Sequence, residues 1–299
     1  MDVQAGYFIQ PARTSRMEWG VRIISIVGIA FAQAVFAHGE IHDRVRVLDA
    51  RIRSEPQNIE PLIRRGQLFL EANHFNEAII DFRRSLDLDL NAVGVRYYLG
   101  QAFLRSGDAA QAEREARLYI VGTRDQGEDA AVQGYRFLGQ VLSARNQPLA
   151  AAVSYVTALS RSSAPEASQY LEAAEAYVTG GSTHFGRALK VLDEGIRRFG
   201  TITSLQQAAI DIERKAGRFD AALSRLETLI AQGDARERRL FQKGEILFDA
   251  KRLADAEEAY SQAGSLLRAM PPAEQKSHAQ LTKEIDARLG ALRKVSGGQ

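Results

Sequence analysis

A Gly that is followed twelve residues later by an Ala recurs along the chain, and this spacing constrains the fold more than any other feature. The pairs are Gly66 with Ala78, Gly100 with Ala112, Gly139 with Ala151, and Gly244 with Ala256. Ala188 and Ala222 continue the Ala series, so successive positions lie 34, 39, 37, 34 and 34 residues apart. A period of this length with two insertions predicts an array of supersecondary units that stack on one another.

Each unit has the apolar spacing of two helices. In the first unit, apolar residues recur at intervals of three and four on both sides of the turn Asn73-His74, at Leu62, Leu68 and Phe69 and then at Phe75, Ala78, Ile79, Phe82 and Leu86. This spacing predicts a pair of antiparallel helices, and the small Gly and Ala residues predict close approach between them. The polar segments 122–129 and 180–183 predict a lengthened loop and a lengthened turn at the two insertions.

The segment from Gly66 through Asn73-His74-Phe75-Asn76-Glu77-Ala78 to Phe82 resembles a tetratricopeptide repeat. Similar segments are Leu99-Gly100 with Ala112, Leu138-Gly139 with Ala151 and Tyr155, residues 217–223, and Gly244 with Ala256 and Tyr260. The resemblance covers roughly 59–270 in six units, with Ala173 in the Gly place of the fourth. It implies an all-α fold, a right-handed superhelical solenoid of helix-turn-helix repeats.

The segments at the two ends of the repeats have the pattern of caps. Residues 38–58 predict an N-terminal half repeat, because one apolar stripe runs from Ile41 to Ile52 and stops before 54–58. The repeats then occupy 59–272, and residues 273–299 predict a capping helix with a short tail. That helix, Ala273 to Val295, should cover the last stripe of the stack with its apolar face, which consists of Leu281, Ile285, Leu289 and Leu292.

Residues 1–37 have the pattern of a secretory signal peptide. Three Arg residues precede an apolar stretch over 23–36, and Val35-Phe36-Ala37 is typical of a cleavage site. The apolar segment from Val21 to Ala37 has 17 residues, whereas the core of a bilayer takes roughly 20. The pattern therefore predicts export to the periplasm or secretion, with no membrane insertion after cleavage. An uncleaved inner-membrane anchor facing the periplasm is the alternative, and Met17 is an alternative start.

Charge and motifs exclude several classes of function. The chain has 39 basic and 37 acidic residues, and removal of residues 1–37 leaves a net charge of +1. A chain so balanced has no electrostatic reason to hold nucleic acid or an anionic membrane surface. It contains no Cys, no phosphate-binding Gly loop, no Gly-x-Ser-x-Gly elbow and no His-Glu-x-x-His pair. The sequence thus predicts neither a cofactor nor enzymatic activity, and Ser182 beside His184 is interpreted as part of a turn.

A metal site at the start of the mature chain is the main alternative function. Cleavage after Ala37 makes His38 the N-terminus, so its amine and imidazole could chelate a transition metal together with Glu40 and His42. The competing interpretation is a frayed terminus whose polar residues face water. The other three His residues are scattered and have no ligand spacing.

The resemblance also implies a binding groove. In the family, the second, fifth, ninth, twelfth and thirteenth residues of each unit line a groove formed by the first helices. Here those places hold Gln67, Leu70 and Glu71, then Tyr97, Gln101, Leu104 and Arg105, then Arg136 and Gln140, then Tyr170 and Tyr177, and finally Phe241, Glu245, Phe248 and Asp249. Aromatic side chains flanked by amides and charges suit a peptide. Packing between neighbouring repeats is the alternative for Tyr97 and Tyr170.

One known use of such grooves does not fit. A clamp for a C-terminal carboxylate needs Lys and Asn at the fifth and ninth places of one unit, where the first unit has Ile63 and Gln67, and basic residues two units later, where the third has Gln133 and Phe137. The sequence therefore predicts a non-catalytic scaffold of the bacterial cell envelope that binds a protein or peptide of unknown identity. The alternative is a metal-binding accessory or carrier protein that uses His38 and His42.

Overall fold

A computed structural model describes residues 41–296, and all of their regular structure is helical. The helices are α1 (41–54), α2 (Ile59–Glu71), α3 (Phe75–Leu88), α4 (Val93–Arg105), α5 (Ala109–Gly122), α6 (Glu128–Ala144), α7 (Pro148–Arg161), α8 (Ala167–Thr179), α9 (Phe185–Phe199), α10 (Thr203–Lys215), α11 (Phe219–Ala231), α12 (Arg236–Asp249), α13 (Leu253–Ala269), α14 (Pro272–Ser277) and α15 (Ala279–Ser296). A short 3₁₀ helix, Ser182–His184, precedes α9. The pairs α2/α3, α6/α7, α8/α9, α10/α11 and α12/α13 confirm the all-α fold of helix-turn-helix repeats.

The described chain divides into two compact units, residues 41–106 with α1 to α4 and residues 107–296 with α5 to α15. Within each unit, helices that follow one another in sequence pack together, as α2 does with α3 and α6 does with α7. In each pair, the earlier helix is called the first helix and the later one the second helix. The even-numbered helices α2 to α12 are therefore first helices.

The turn inside each pair has one backbone geometry. The second residue after the first helix lies in the left-handed region at Asn73 (φ 63°), Asn146 (φ 56°), Lys251 (φ 63°), Gly107 (φ 93°) and Gly217 (φ 70°). Gly and Asn adopt this conformation most easily, which is why they recur here. The inserted turn of the fourth pair keeps the same geometry, with φ 108° at its second residue. The sequence prediction of a lengthened turn at this point is confirmed.

The recurring Gly of the first helix makes room for an aromatic ring of the second helix. A Cβ atom on Gly66 would lie 2.6 Å from Cε1 of Phe82, and one on Gly139 would lie 2.6 Å from the same atom of Tyr155. In the sixth pair, a Cβ atom on Gly244 would lie 2.4 Å from Tyr260. The small residue is therefore required because a side chain sixteen residues later covers it.

The small residue of the fourth pair is Ala174, and the expectation of Ala173 is wrong by one residue. Gly66, Gly139 and Gly244 each lie five residues before the last residue of their helix. In α8, which ends at Thr179, that position is Ala174. Both alanines are buried, so only the end of the helix reveals the register.

The C-terminal segment forms two helices, α14 and α15, whereas the sequence predicted one from Ala273 to Val295. The break lies at His278, whose ring Nδ1 lies 3.0 Å from the carbonyl oxygen of Glu274. The predicted apolar face is present on α15, where Ile285, Leu289 and Leu292 are buried against the last repeat and Leu281 packs at its edge.

Candidate functional site

In the second compact unit, residues 107–296, the first helices are α6, α8, α10 and α12, and we call the side that carries the predicted groove positions of α6 and α12 the first-helix face. Arg136 of α6 joins α8 through two bonds to Glu172, with Nε 3.0 Å from Oε2 and Nη2 2.6 Å from Oε1. This bond to Glu172 is the main cause that raises the pKa of the Arg136 guanidinium, and burial opposes it. Arg136 thus links neighbouring repeats, and its charge is already paired.

The C-terminal half of the first-helix face carries a second set of links. Arg214 of α10 donates from Nε to Asp249 of α12 at 2.6 Å. Glu245 of α12 accepts from Arg288 of α15 at 2.8 Å and from the Tyr260 hydroxyl at 2.6 Å. Four of these residues belong to first helices or their cap, so the groove positions Glu245 and Asp249 stabilise the stack.

In the first compact unit, residues 41–106, the equivalent positions also bond from one first helix to the next. Arg105 of α4 donates to the carbonyl of Leu70 at 3.0 Å and to the Asn73 side chain at 2.6 Å. Leu70 itself is buried, and Tyr97 contacts Tyr98 edge to face with 5.7 Å between ring centroids. Gln67, Gln101, Leu104, Phe241 and Phe248 are half-buried, whereas Glu71, Arg105, Gln140 and Asp249 are exposed.

Tyr170 and Tyr177 do not lie on the groove surface, and this prediction needs correction. Tyr170 is 2% exposed and packs edge to face on Phe199, and Tyr177 is 8% exposed and stacks near His184. The cause is the one-residue shift in α8, because the groove places counted from Ala174 are those of Leu171, Glu175, Val178 and Thr179. Burial raises the pKa of the Tyr170 hydroxyl, as expected for a core side chain.

A polar cleft of about 250 Å³ opens beside this corrected position. Its walls come from the end of α6, the following turn and α8, and they include Asn146, Glu172, Glu175, Thr179 and the buried Tyr155. Burial raises the pKa of the Tyr155 hydroxyl, so the group is neutral at physiological pH. Hydroxyl, amide and carboxylate groups make the cleft a hydrogen-bonding site on the first-helix face.

Sequence reasoning missed this part of the face. It also assigned no groove residue to the fifth repeat, where Gln207 accepts from Arg239 at 2.6 Å and donates to Asp211 at 2.9 Å. Arg residues and their partners recur at separations close to the period, as in Arg136 with Glu172, but this spacing alone does not select the partner.

The predicted metal site lies mostly outside the described residues. His38 and Glu40 fall in residues 1–40, together with the predicted signal peptide, and His42 is exposed at the start of α1. Within residues 41–296, no group of three or more potential ligands is arranged to hold a metal ion. In the same part of the chain, no helix combines the length and apolar character needed to cross a membrane.

Solved structures of other proteins share the helical-repeat fold of this chain. A structure of the C-terminal part of a repeat-containing protein from Cytophaga hutchinsonii matches 82% of this chain and 98% of its own, with a TM-score of 0.61 and 13% identity. A structure of Naa15/Naa10 bound to HypK-THB matches 87% of this chain and 38% of its own, with a TM-score of 0.56 and 13% identity. A repeat protein from Parabacteroides merdae matches 88% of this chain and 96% of its own, with a TM-score of 0.49 and 13% identity.

The family model for the tetratricopeptide repeat matches residues 63–131 and 208–265. These two segments match tetratricopeptide repeats, and the described helix pairs have the corresponding fold. No significantly similar sequence was found among curated proteins. Such repeats are generally non-catalytic scaffolds that bind other proteins, and the mixed amides, carboxylates and aromatic side chains of the first-helix face suit that use.

Proposed function

We propose that the chain is a non-catalytic scaffold of the bacterial cell envelope that holds a protein or peptide partner on its first-helix face. The observation that carries the proposal is the polar cleft between α6 and α8, whose lining includes the exposed side chain of Glu175. An extended peptide that crosses this face meets fixed hydrogen-bond partners, since Arg136 and Glu172 hold the two helices together. Preorganised partners reduce the entropy lost on binding.

The envelope location rests on residues 1–37 alone. Their three Arg residues, apolar stretch and small residues near Ala37 support export. Trp19 is the sole Trp of the chain and precedes the expected cleavage point. An exported form that lacks indole fluorescence and has the mass of residues 38–299 supports this location, and a cytoplasmic chain of full mass contradicts it.

Site-specific crosslinking tests the binding face. A photoreactive residue is placed at Gln140 or Glu175 on the first-helix face, and at Lys190 or Thr228 on the second helices as matched exposed controls. We expect one adduct of the same mass from both first-helix positions in living cells and none from the controls. Adducts of equal yield from all four positions, or from the controls alone, would overturn the assignment of the face.

A further inference from the structure

A groove of about 500 Å³ lies between α1 and α2 in the first unit. Helix α1 contributes Arg44, Val47, Leu48 and Arg51, which lie at positions i, i+3, i+4 and i+7 and therefore share one face over two turns. Val47 is 63% exposed, although its neighbours Leu48 and Ile52 are buried. The groove thus has an apolar floor with a guanidinium at each end of the α1 wall.

Helix α2 presents the same spacing from the other side. Arg64, Gln67, Leu68 and Glu71 again occupy i, i+3, i+4 and i+7, so the two walls match in length, about 10 Å each. Two of the arginines have partners on their own helix, Arg64 with Glu60 and Arg51 with Glu55 at 3.8 Å. These pairs are exposed, and exposed pairs within one helix are weak and exchange readily with other partners.

In later repeats, the residues that correspond to the α2 side of this groove contact the first helix of the preceding repeat. Glu172 lies two residues before the small residue of α8 and bonds the preceding first helix through Arg136. Arg105 and Asp249 each lie five residues after the small Gly of their helix, and each also bonds the preceding first helix or its end. These two positions of a first helix therefore face the first helix of the repeat before it.

In α2 the same two positions are Arg64 and Glu71, two before and five after Gly66. Both line the groove, and within residues 41–296 no first helix precedes α2. The groove therefore has the position and the walls of a place for one more first helix. Its charge is unequal, because Arg44, Arg51 and Arg64 outnumber Glu71 among the lining residues.

We infer that this groove binds an amphipathic helix of a partner protein, with an apolar stripe that covers Val47 and acidic residues that pair with Arg44, Arg51 and Arg64. The bound helix adds a first helix to the stack. The inference rests on the proposed function, since it names the chemistry of one partner segment, but it concerns the first unit rather than the cleft between α6 and α8. Recognition follows the helix-in-groove mode, in which apolar contact supplies affinity and charge sets orientation.

The test uses the full chain and a labelled 14-residue helical peptide with Leu along one stripe and Glu on both sides of it. Fluorescence anisotropy compares the unchanged protein with Arg44→Glu/Arg51→Glu and with Arg46→Glu/Arg53→Glu. The control pair has the same spacing, helix and charge change, but lies on the other side of α1. We expect the groove variant to weaken binding at least ~10-fold and the control by less than ~2-fold. A Lys-for-Glu version of the peptide should bind the groove variant better than the unchanged protein.

Other occupants give different results, and each overturns the inference. Equal binding by all three proteins removes the groove as the site. A dimer that dissociates only in the groove variant identifies a second copy as the occupant. If the peptide binds only after residues 1–37 are removed, those residues are the occupant. If no peptide binds, but the unchanged protein binds anionic vesicles and the groove variant does not, the occupant is a membrane surface. Crosslinking from Gln140 and Glu175 reads out the proposed function separately, so the two can fail independently.

Discussion

The two described ends of the repeat array differ in how ion pairs and apolar burial contribute to their packing. At the N-terminal end, Arg65 of α2 bonds Asp81 of α3 at 2.6 and 2.8 Å and Asp49 of α1, and the side chain of Asp81 is only 2% exposed. At the C-terminal end, α15 buries Ile285, Leu289 and Leu292 in an apolar cluster with the last repeat. Helix α1 thus combines a partly exposed ion pair, through Asp49, with the buried side chains of Leu48 and Ile52, whereas α15 packs through a larger apolar face.

The two ends also differ in what they leave open. The groove between α1 and α2 keeps Val47 and three guanidinium groups accessible. On α15, the charged Arg288 lies over Glu245 and over the ring of Phe248, and the apolar face is covered. The N-terminal end therefore keeps an open groove, whereas the apolar face of the C-terminal end is covered.

Removal of the buried guanidinium should have the largest effect. The bond to Asp81 is the main cause that raises the pKa of Arg65, so the charge of Arg65 is favoured in the fold. Arg65→Ala leaves the Asp81 carboxylate buried without this partner, and we expect a loss of about 3–5 kcal/mol in the free energy of unfolding. Arg288→Ala removes a half-exposed partner at the other end and should cost about 1 kcal/mol or less. Urea unfolding of both variants measures the difference, and equal losses would contradict the contrast between the ends.

Truncation of the apolar anchor should have the next largest effect. Ile285→Ala opens a cavity at a fully buried position, which costs about 2–4 kcal/mol. Val47→Ala at the open end should change stability by about 0.5 kcal/mol or less, because Val47 is largely exposed. The same unfolding measurement applies. A Val47 variant as unstable as the Ile285 variant would show that the groove is filled in the free protein.

The two terminal Gly positions should respond differently to a methyl group. Gly244→Ala forces Tyr260 to move, but the Tyr260 hydroxyl is held by Glu245 at 2.6 Å. Phe82, which covers Gly66, has no hydroxyl to hold it. We expect a loss of about 1–3 kcal/mol for Gly244→Ala and a smaller loss for Gly66→Ala. Adding Tyr260→Leu to Gly244→Ala should restore part of the loss, and a fall in stability on that addition would argue against steric conflict.

Alkaline pH should weaken the packing of Tyr260 at the C-terminal end. Burial, and then the hydrogen bond to Glu245, raise the pKa of the Tyr260 hydroxyl above its usual value of about 10. The folded state therefore keeps a proton that the unfolded state loses, so this contribution is complete below about pH 10 and is lost as pH rises further. Tyr260→Phe should flatten the fall of Tm between pH 9 and 11. An unchanged slope would show that other groups control alkaline unfolding.

The sequence was sufficient to predict the repeats because each one depends on a few positions with clear physical requirements. A Gly under an aromatic ring and a left-handed residue such as Asn73 are both visible as spacing. The fourth repeat was misread because Ala173 and Ala174 are equally small and the adjacent turn is lengthened. That single shift moved Tyr170 from the core to the predicted groove.

The links between repeats could not be predicted in the same way. Arg136 has several acidic residues at separations near the period, and only the geometry of α6 and α8 selects Glu172. The break at His278 carries no Gly or Pro, so the sequence offered a continuous helix there. A requirement on one residue, such as a small side chain, is therefore easier to predict from sequence than a bond between two side chains, because the bond depends on how two helices are placed.

Many side-chain bonds between repeats join residues 32 to 36 apart, such as Arg252 with Asp220 and Arg136 with Glu172. Contacts of this range are short compared with the 299 residues of the chain, so little loop entropy opposes their formation and folding can begin at any pair of repeats. A helix added at the α1–α2 groove would then slow hydrogen exchange most in its immediate neighbours. Amides in α13, several repeats away, should keep their exchange rates, so the chain can gain order locally without a change along its length.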